Sequence, residues 1–176
     1  MNFHKLLTQR AADDNPVRVG LIGCGKFGTM FLTQALQTTG LHVVGIADLN
    51  IKRAQHNLST AGWDRSRFDA KSLDTAFQSG TTYVGDDAAA LIAYERLDVI
   101  IEATGIPRAG IEHCRRAIHA GHHVVMVSVE ADVVAGPLLA REAAAAGVVY
   151  SLAWGDQPAL VCEHVDWARA CGFEVV

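Results

Sequence analysis

Residues 17–28 read Val-Arg-Val-Gly-Leu-Ile-Gly-Cys-Gly-Lys-Phe-Gly, an apolar run that ends in a G-x-G-x-x-G pattern. Each glycine of the pattern has its own physical reason. Gly23 permits a tight turn, Gly25 lets the backbone approach a ligand, and Gly28 lets the next helix lie close to its strand. The first amides of that helix have no carbonyl partner and, with the helix dipole, attract an anion. The stretch therefore predicts a strand, a turn and a helix that hold a dinucleotide pyrophosphate.

An acidic residue follows the second apolar run at the expected spacing. Asp48 directly follows the apolar run at residues 41–47 and lies 20 positions after Gly28. An acid at this point accepts hydrogen bonds from an adenosine ribose and repels a 2′-phosphate, which favours NAD. Lys52 and Arg53 open the next helix and can reach a 2′-phosphate if Asp48 turns away, so NADP stays open. In the structural alternative, Asp48 is a helix cap and the two basic residues are solvated.

A third signal is the Glu-Ala-Thr-Gly segment at residues 102–105, which ends the predicted fourth strand. Ligands of open α/β sheets bind at the carboxyl ends of the strands, near the point where the strand order reverses. Ala103 and Gly105 are small and leave room for a nicotinamide ribose, to which Thr104 can donate. The alternative is an ordinary strand-to-helix turn that Thr104 caps.

Two acidic residues follow the last two predicted strands and are the candidate catalytic residues. Glu130 comes after the strand at 123–127, and Asp156 comes after the strand at 148–152. Each can orient a substrate, or accept a proton if burial favours its protonated form. Together they can hold Mg²⁺ or Mn²⁺ in a full-length enzyme. In the alternative interpretation, Asp156 caps the last helix and Glu130 faces solvent.

Apolar runs alternate with amphipathic stretches along the whole chain, which predicts a doubly wound parallel sheet of the Rossmann class. Strands are expected at 17–22, 41–47, 81–84, 98–103, 123–127 and 148–152. Helices are expected at 2–12, 26–38, 50–58, 71–79, 86–95, 107–121, 131–135, 137–146 and from about 156 to 171. Residues 1–16 then form an N-terminal helix, 17–172 the dinucleotide-binding domain, and 173–176 the start of a strand that leads into a missing substrate domain.

One connection is longer than the usual link between elements. Residues 59–82 join the second strand's helix to the third strand and hold Trp63, Arg65, Arg67 and Phe68. They are either a functional insertion or a decorated surface loop, and the loop is the preferred interpretation.

The composition excludes several classes of protein. With 50% hydrophobic and 19% charged residues, the 176-residue chain can bury the core of one sizeable domain. A net charge of −4 gives no basic field for nucleic acid or an anionic membrane, and no apolar run has transmembrane length. The four cysteines form no C-x-x-C pair, which favours reduced thiols and a cytoplasmic protein. The histidine and cysteine spacings predict no metal site.

Residues 102–105 and the His-Val-Val run at 123–125 resemble the cofactor domain of homoserine dehydrogenases. That family commonly has a lysine near the nicotinamide, close to the position that Glu130 holds here.

Three further segments are more similar to the deoxyxylulose-phosphate reductoisomerase-like oxidoreductases, homoserine-dehydrogenase-like proteins that often carry a SAF domain. These segments are Val-Glu-Ala-Asp at 129–132, Ala-Gly-Pro-Leu-Leu-Ala at 135–140 and Gly-Asp-Gln-Pro-Ala-Leu at 155–160. The resemblance implies NADPH, conversion of 1-deoxy-D-xylulose 5-phosphate to methylerythritol 4-phosphate in isoprenoid synthesis, and a homodimer whose substrate domain follows the cofactor domain.

The sequence therefore predicts the NAD(P)-binding domain of an oxidoreductase that acts on a small carbonyl or sugar substrate. A homoserine-dehydrogenase-type enzyme and a non-catalytic nucleotide-sensing module are the alternatives, and a methyltransferase is a weaker one. We expect residues 1–176 to bind cofactor but not to turn over. The predicted cofactor-binding residues are Gly23, Gly25, Lys26, Phe27, Gly28, Asp48, Leu49, Arg53, Ala103, Thr104, Gly105 and Ser128.

Overall fold

The computed structural model of the chain describes residues 2–153 and 157–176. In these residues the strands are β1 (Val17–Ile22), β2 (Leu41–Ala47), β3 (Tyr83–Gly85), β4 (Val99–Glu102), β5 (His123–Met126) and β6 (Tyr150–Leu152). All neighbouring strands are parallel, in the order β3-β2-β1-β4-β5-β6. The order reverses between β1 and β4, as in a doubly wound dinucleotide-binding sheet, so the predicted fold class is confirmed.

Helices cover both faces of this sheet. They are α1 (Phe3–Ala12), α2 (Lys26–Ala35), α3 (Ile51–Thr60), α4 (Leu73–Ser79), α5 (Ala88–Ile92), α6 (Pro107–His119), α7 (Val129–Ala146) and α8 (Gln157–Ala170), with a 3₁₀ turn at Arg65–Phe68. Leu32 and Leu58 bring α2 and α3 onto one face. Leu91, Ile118 and Leu139 bring α5, α6 and α7 onto the other. Within the part of the chain that the structure describes, no helix combines the length and apolarity needed to cross a bilayer.

The helix ends have local causes in the sequence. The side chains of Asn50, Ser72 and Asp87 each accept a hydrogen bond from the amide three residues ahead, at 3.0, 3.1 and 2.9 Å. Pro107 takes the first position of α6, where its missing N–H has no cost. Gly147 ends α7 with a φ of +72°, a conformation that favours glycine.

The prediction of two helical pieces at 131–135 and 137–146 is wrong, because one continuous α7 contains Pro137. Proline removes one backbone hydrogen bond and crowds the preceding turn, which normally ends a helix. Here the buried side chains of Ala131, Leu139 and Ala143 hold both sides of the proline against the sheet. Tertiary packing therefore overrides the local signal.

The structure shows no strand at residues 173–176, where the sequence predicts one. These residues follow Gly172 without regular structure and have exposed side chains. An isolated strand leaves its backbone hydrogen-bonding groups unpaired, so an apolar run forms a strand only beside a partner. That residues 173–176 begin a strand beside a further domain stays a prediction.

The connection from α3 to β3 passes around the edge of the sheet. Trp63 and Phe68 are buried on the face that α2 and α3 cover. Ala70 then makes a parallel bridge with Tyr83 beyond β3, and α4 places Ala76 on the opposite face. The preferred interpretation, a decorated surface loop, is therefore wrong for these residues, because the segment adds to both cores and covers the outer edge of β3.

A buried histidine joins three elements on the other face. The ring of His122 is 2% exposed, with Nε2 2.8 Å from the carbonyl oxygen of Ile92 and Nδ1 3.0 Å from that of Leu97. A carbonyl oxygen can only accept, so a ring nitrogen that carries a proton donates to the carbonyl beside it. The ring ties the end of α5 to the turns that lead into β4 and β5.

We expect His122→Phe to lower the free energy of unfolding by about 1–3 kcal/mol, because it leaves a buried carbonyl without its hydrogen-bond donor. Urea denaturation of both proteins measures the difference. The control is His119→Phe on the exposed end of α6, which should cost less than about 0.5 kcal/mol. Equal stability of the two variants would show that the His122 contacts contribute nothing.

Candidate functional site: a cleft at the carboxyl edge of the sheet

The glycine loop after β1 has the geometry that each glycine position demands. Gly23 has a φ of +93°, and a Cβ there would lie 2.5 Å from the carbonyl oxygen of Ala103. A Cβ on Gly28 would lie 2.6 Å from the carbonyl oxygen of Gly23. At Gly25 a Cβ would meet no atom within 4 Å. Gly23 and Gly28 are therefore required by packing, whereas the absent side chain of Gly25 leaves the loop open to a ligand.

A groove continues from this loop between α2 and α3. Its volume is about 540 Å³, and Lys26 and Arg53 contribute positive charge to its walls. Gly25 is the N-cap of α2 and has no side chain that could occupy the first amides of the helix. The groove thus combines a helix N-terminus with two cations, which suits a phosphate group.

Asp48 is buried at the end of β2 and accepts hydrogen bonds through both carboxylate oxygens. Oδ2 accepts from the Cys24 amide at 2.8 Å, and Oδ1 accepts from the Asn50 amide at 2.8 Å. The Arg53 guanidinium bonds both oxygens, at 3.0 and 3.2 Å. With the side chain of Asp48 4% exposed, little of the carboxylate is left to accept from a ribose. Its main contacts fix the glycine loop.

The loop residue Cys24 is held in place, and its thiol lies away from solvent. Its thiol is fully buried, and its carbonyl oxygen accepts a hydrogen bond from the Asn57 side chain at 2.7 Å. Burial, assisted by the nearby Asp48 carboxylate, raises the pKa of the Cys24 thiol to about 11. A thiol that stays protonated is a poor nucleophile, so Cys24 serves the loop by packing.

Glu102 is the corresponding carboxylate on the other side of the cleft. It is fully buried at the end of β4, where Oε1 accepts from the Thr104 hydroxyl at 2.5 Å and Oε2 accepts from the Ser128 hydroxyl at 2.6 Å. Ser128 also accepts from the Gly105 amide at 2.9 Å. One carboxylate therefore fixes the turn after β4 and the residue that precedes α7.

Helix α6 reaches the same carboxylate. Nδ1 of His113 lies 3.4 Å from Oε1 of Glu102. A Cβ on Gly110 would lie only 2.9 Å from Oε2, so glycine is what allows α6 to approach. Burial by itself raises the pKa of Glu102, but the hydrogen bonds from His113, Ser128 and Thr104 outweigh burial and hold the pKa below its usual value. Glu102 is therefore an ionised, internally paired group.

The predicted site residues fall into different environments. Thr104 gives its only hydroxyl proton to Glu102 and therefore cannot also donate to a ribose in this conformation, contrary to the role that the sequence suggested. Leu49 is 94% exposed beside Asp48, and Phe27 is 37% exposed on α2. Glu130 is exposed in the first turn of α7, so the burial on which its catalytic role depended is absent.

The other catalytic candidate, Asp156, lies outside the described residues, and the Mg²⁺ or Mn²⁺ pair that it would form with Glu130 stays a prediction. The sequence pattern includes Glu102 in the segment 102–105 but predicts no role for its side chain. It predicts no role for His113 or Asn57 either. Its position at a strand end beside Thr-Gly was the available signal for Glu102. His113 and Asn57 come close only through helix packing.

We expect Glu102→Gln to lower the free energy of unfolding by about 1–3 kcal/mol at pH 7, because an NH₂ group replaces one acceptor oxygen. The folded pKa of Glu102 is lowered, so its stabilising contribution is present above the unfolded value of 4.5 and is lost as the pH falls through the folded value. Urea denaturation should therefore show the difference from the wild type shrinking below pH 4.5. Exposed Glu112→Gln is the control, and a difference that grows on acidification would contradict this account.

Comparison with known proteins comes first from protein-family models. Residues 17–127 match the model for the oxidoreductase family with an NAD-binding Rossmann fold, GFO_IDH_MocA. The match covers the sheet from β1 to the end of β5. No curated protein matches the chain significantly.

Solved structures show the same fold at low identity. A homoserine dehydrogenase from Thiobacillus denitrificans is 20% identical over 78% of this chain and 29% of its own, with a TM-score of 0.63. Biliverdin reductase from Synechocystis, solved with biliverdin and NADP⁺, is 20% identical over 78% and 37%, with a TM-score of 0.60. The WlbA dehydrogenase from Bordetella pertussis, solved with NADH and UDP-GlcNAcA, is 19% identical over 88% and 43%, with a TM-score of 0.58.

These structures are more than twice as long as the matched part, so the chain spans less than half of each. Identities near 20% support the fold alone. The family match is the stronger finding, because it covers more than half of the chain. It also agrees with the strand order of the sheet and with the glycine loop after β1. The chain belongs to the GFO/IDH/MocA oxidoreductase family and forms its NAD-binding Rossmann domain.

Proposed function

We propose that this chain binds NAD(P) along the carboxyl edge of its sheet and presents the nicotinamide to a small carbonyl or hydroxyl substrate in a larger oxidoreductase. The observation that carries the proposal is the open position at Gly25, at the N-terminus of α2. A Cβ atom placed on Gly25 would have no other atom within 4 Å, so a ligand can approach the backbone there. The cofactor would supply the hydride chemistry, and the protein would supply binding and orientation.

The two halves of the cleft support different parts of such a ligand. The glycine loop and the first amides of α2 suit the pyrophosphate. The turn at 103–105 lies beside that loop, since Gly23 packs against Ala103, and its small residues leave room for the nicotinamide half. Ser128 shapes this turn through Glu102 and Gly105, so its proposed role is to position the turn.

We expect Gly25→Val to fold normally and to weaken NADH and NADPH binding by about tenfold or more, because its side chain would occupy the space of the pyrophosphate. Fluorescence titration of the purified chain measures binding, and thermal denaturation checks folding. Gln34→Val, on the exposed far end of α2, is the matched control and should bind like the wild type. Unchanged affinity in Gly25→Val would exclude the loop as the phosphate site.

We also propose that NADPH is preferred over NADH. The sequence left this undecided, because Asp48 alone favours NAD and the resemblance implies NADPH. The structure supports NADPH in two ways. The Asp48 oxygens already accept from two amides and from Arg53. The Arg53 side chain is 56% exposed, so its remaining N–H groups can meet a 2′-phosphate.

We expect Arg53→Ala to weaken NADPH binding by about tenfold while changing NADH binding by less than about threefold, because only NADPH carries the 2′-phosphate. Parallel titrations with both cofactors test this. Arg141→Ala on the exposed side of α7 serves as the control. An equal loss for both cofactors would instead assign Arg53 to loop positioning through Asp48.

The substrate of the whole enzyme is a narrower proposal. We propose 1-deoxy-D-xylulose 5-phosphate or a related small carbonyl or sugar compound, on the strength of the resemblance of segments 129–132, 135–140 and 155–160. A homoserine-dehydrogenase-type substrate is the alternative, and a homoserine dehydrogenase is among the similar folds. Full-length protein assayed for NADPH oxidation with each carbonyl compound separates the two. The homodimer and the cytoplasmic location are likewise proposals.

A nucleotide-sensing module is the second candidate function. It is favoured by the solvent exposure of Glu130 and by the internal hydrogen bonds of the two buried carboxylates of the cleft, Asp48 and Glu102, which make all three poor candidates for a general base. Such a module would bind cofactor in the Gly25-dependent way but leave it unreduced in the full-length protein with every candidate substrate. Measured turnover would exclude it.

A further inference from the structure

A second concave surface lies at the opposite edge of the sheet from the glycine loop. It is a cavity of about 540 Å³, as large as the groove beside Gly25. The starts of β1 and β2 form one side, and residues 63–82 form the other. We call it the amino-edge pocket, and the lining residues that matter here are Arg18, His42, Trp63, Arg67, Phe77 and Thr82.

Two arginines in the pocket are stacked on aromatic rings. The Arg18 guanidinium carbon lies 5.0 Å from the centre of the Phe77 ring, and that of Arg67 lies 5.3 Å from the Trp63 ring. Stacking uses the flat face of a guanidinium and leaves its N–H groups free in the plane. One N–H of Arg18 donates to the Asn15 side chain at 2.9 Å. The remaining groups suit the two oxygens of a carboxylate or phosphate.

Carboxylates do not neutralise these two cations. Among the residues that the structure describes, neither Arg18 nor Arg67 forms an ion pair. Asp98 pairs with Arg10 at 3.5 Å and accepts the backbone amide of Arg18 at 2.7 Å. Asp14 is the one carboxylate in the lining, which therefore holds two arginines and one acidic residue.

Two hydrogen bonds join the β2 side of the pocket to residues 81–82. Nε2 of His42 donates to the carbonyl oxygen of Thr81 at 2.8 Å, and the Thr82 hydroxyl donates to the carbonyl oxygen of Val43 at 2.6 Å. Burial lowers the pKa of His42, and the charge of Arg18 lowers it further. His42 is therefore neutral near pH 7, and the positive charge of the pocket belongs to the two arginines.

We propose that the amino-edge pocket binds a small molecule through an oxyanion group, a phosphate or a carboxylate, held between Arg18 and Arg67. Its volume lies within the range of about 300–1,000 Å³ that is usual for small-molecule sites. The aromatic rings of Trp63 and Phe77 hold the two cations in place before the ligand arrives. Residues 63–82 thereby supply one wall of a second site, in addition to covering the sheet edge.

The two sites are far enough apart to be filled together. The amino-edge pocket contacts the starts of β1 and β2, whereas the glycine loop follows their ends. A strand of six residues spans about 20 Å. Binding at the amino-edge pocket therefore does not need the cofactor cleft, and failure of either proposal leaves the other standing.

The test is an NMR titration of ¹⁵N-labelled chain with inorganic phosphate at constant ionic strength, repeated with malonate. Phosphate is expected to shift the amides of Gly80 and Thr82 and the Nε–H of Arg67, separately from any shift at residues 23–28. Arg67→Ala should weaken the response at Gly80 and Thr82 by about tenfold. Arg65→Ala is the matched control, because Arg65 belongs to the same 3₁₀ turn but does not line the pocket.

Each outcome decides the proposal. Shifts at Gly80 and Thr82 that Arg67→Ala removes and Arg65→Ala keeps would support it, and the stronger of the two probes identifies the oxyanion. Arg18→Lys, which keeps the charge but loses the planar fork, should give an intermediate loss and guards against misfolding. Shifts confined to residues 23–28, or equal losses in Arg67→Ala and Arg65→Ala, would overturn it.

Discussion

The hydrogen bond from the Cys24 amide to the Asp48 carboxylate is the interaction on which the cleft depends. It joins the loop after β1 to the end of β2, and Arg53 and the Asn50 amide complete the shell of the same carboxylate. Without this acceptor, a buried amide of the loop would be unpaired, and the Asn57 side chain on the Cys24 carbonyl would be left to hold the loop with fewer partners. The Asp48 carboxylate thus binds backbone amides of its own chain, those of Cys24 and Asn50.

Glu102 repeats this arrangement on the other half of the sheet. It holds Thr104 and Ser128 and is approached by His113, so the turn after β4 has a set shape before any ligand binds. Both carboxylates stand at strand ends, next to the point where the strand order reverses. The cost of burying each charge is offset by several hydrogen bonds, which is the condition under which buried charges are stable. The two buried carboxylates therefore fix the shape of the cleft before a ligand binds.

Most of the sheet could be predicted because its signals are local. Glycine spacing, apolar runs and caps such as Asn50 act within a few residues, and the strand order follows from alternating strands and helices. The destinations of side-chain protons could not be predicted. Thr104 turns back to Glu102, and Arg53 turns to Asp48, because the folded turn and the packed helix bring those groups together.

Two longer segments, the helix around Pro137 and residues 59–82, also differ from what their sequences predict. Pro137 signals an end to a helix, yet burial on both sides of it keeps α7 continuous. Residues 59–82 have the polar, irregular character of a loop, yet Trp63 and Phe68 are core side chains. In both cases the deciding contacts come from residues far away in the sequence, which a local pattern does not contain.

The bridge between Ala70 and Tyr83 has a consequence for how the sheet can grow. The chain itself pairs with the start of β3 at Tyr83, and α4 follows onto the opposite face. In the described residues, β6 pairs with β5 alone, so its other side is the edge with backbone groups available for a new strand. Among the described strands, β6 therefore offers more unpaired backbone groups to a further segment or a second molecule than β3 does.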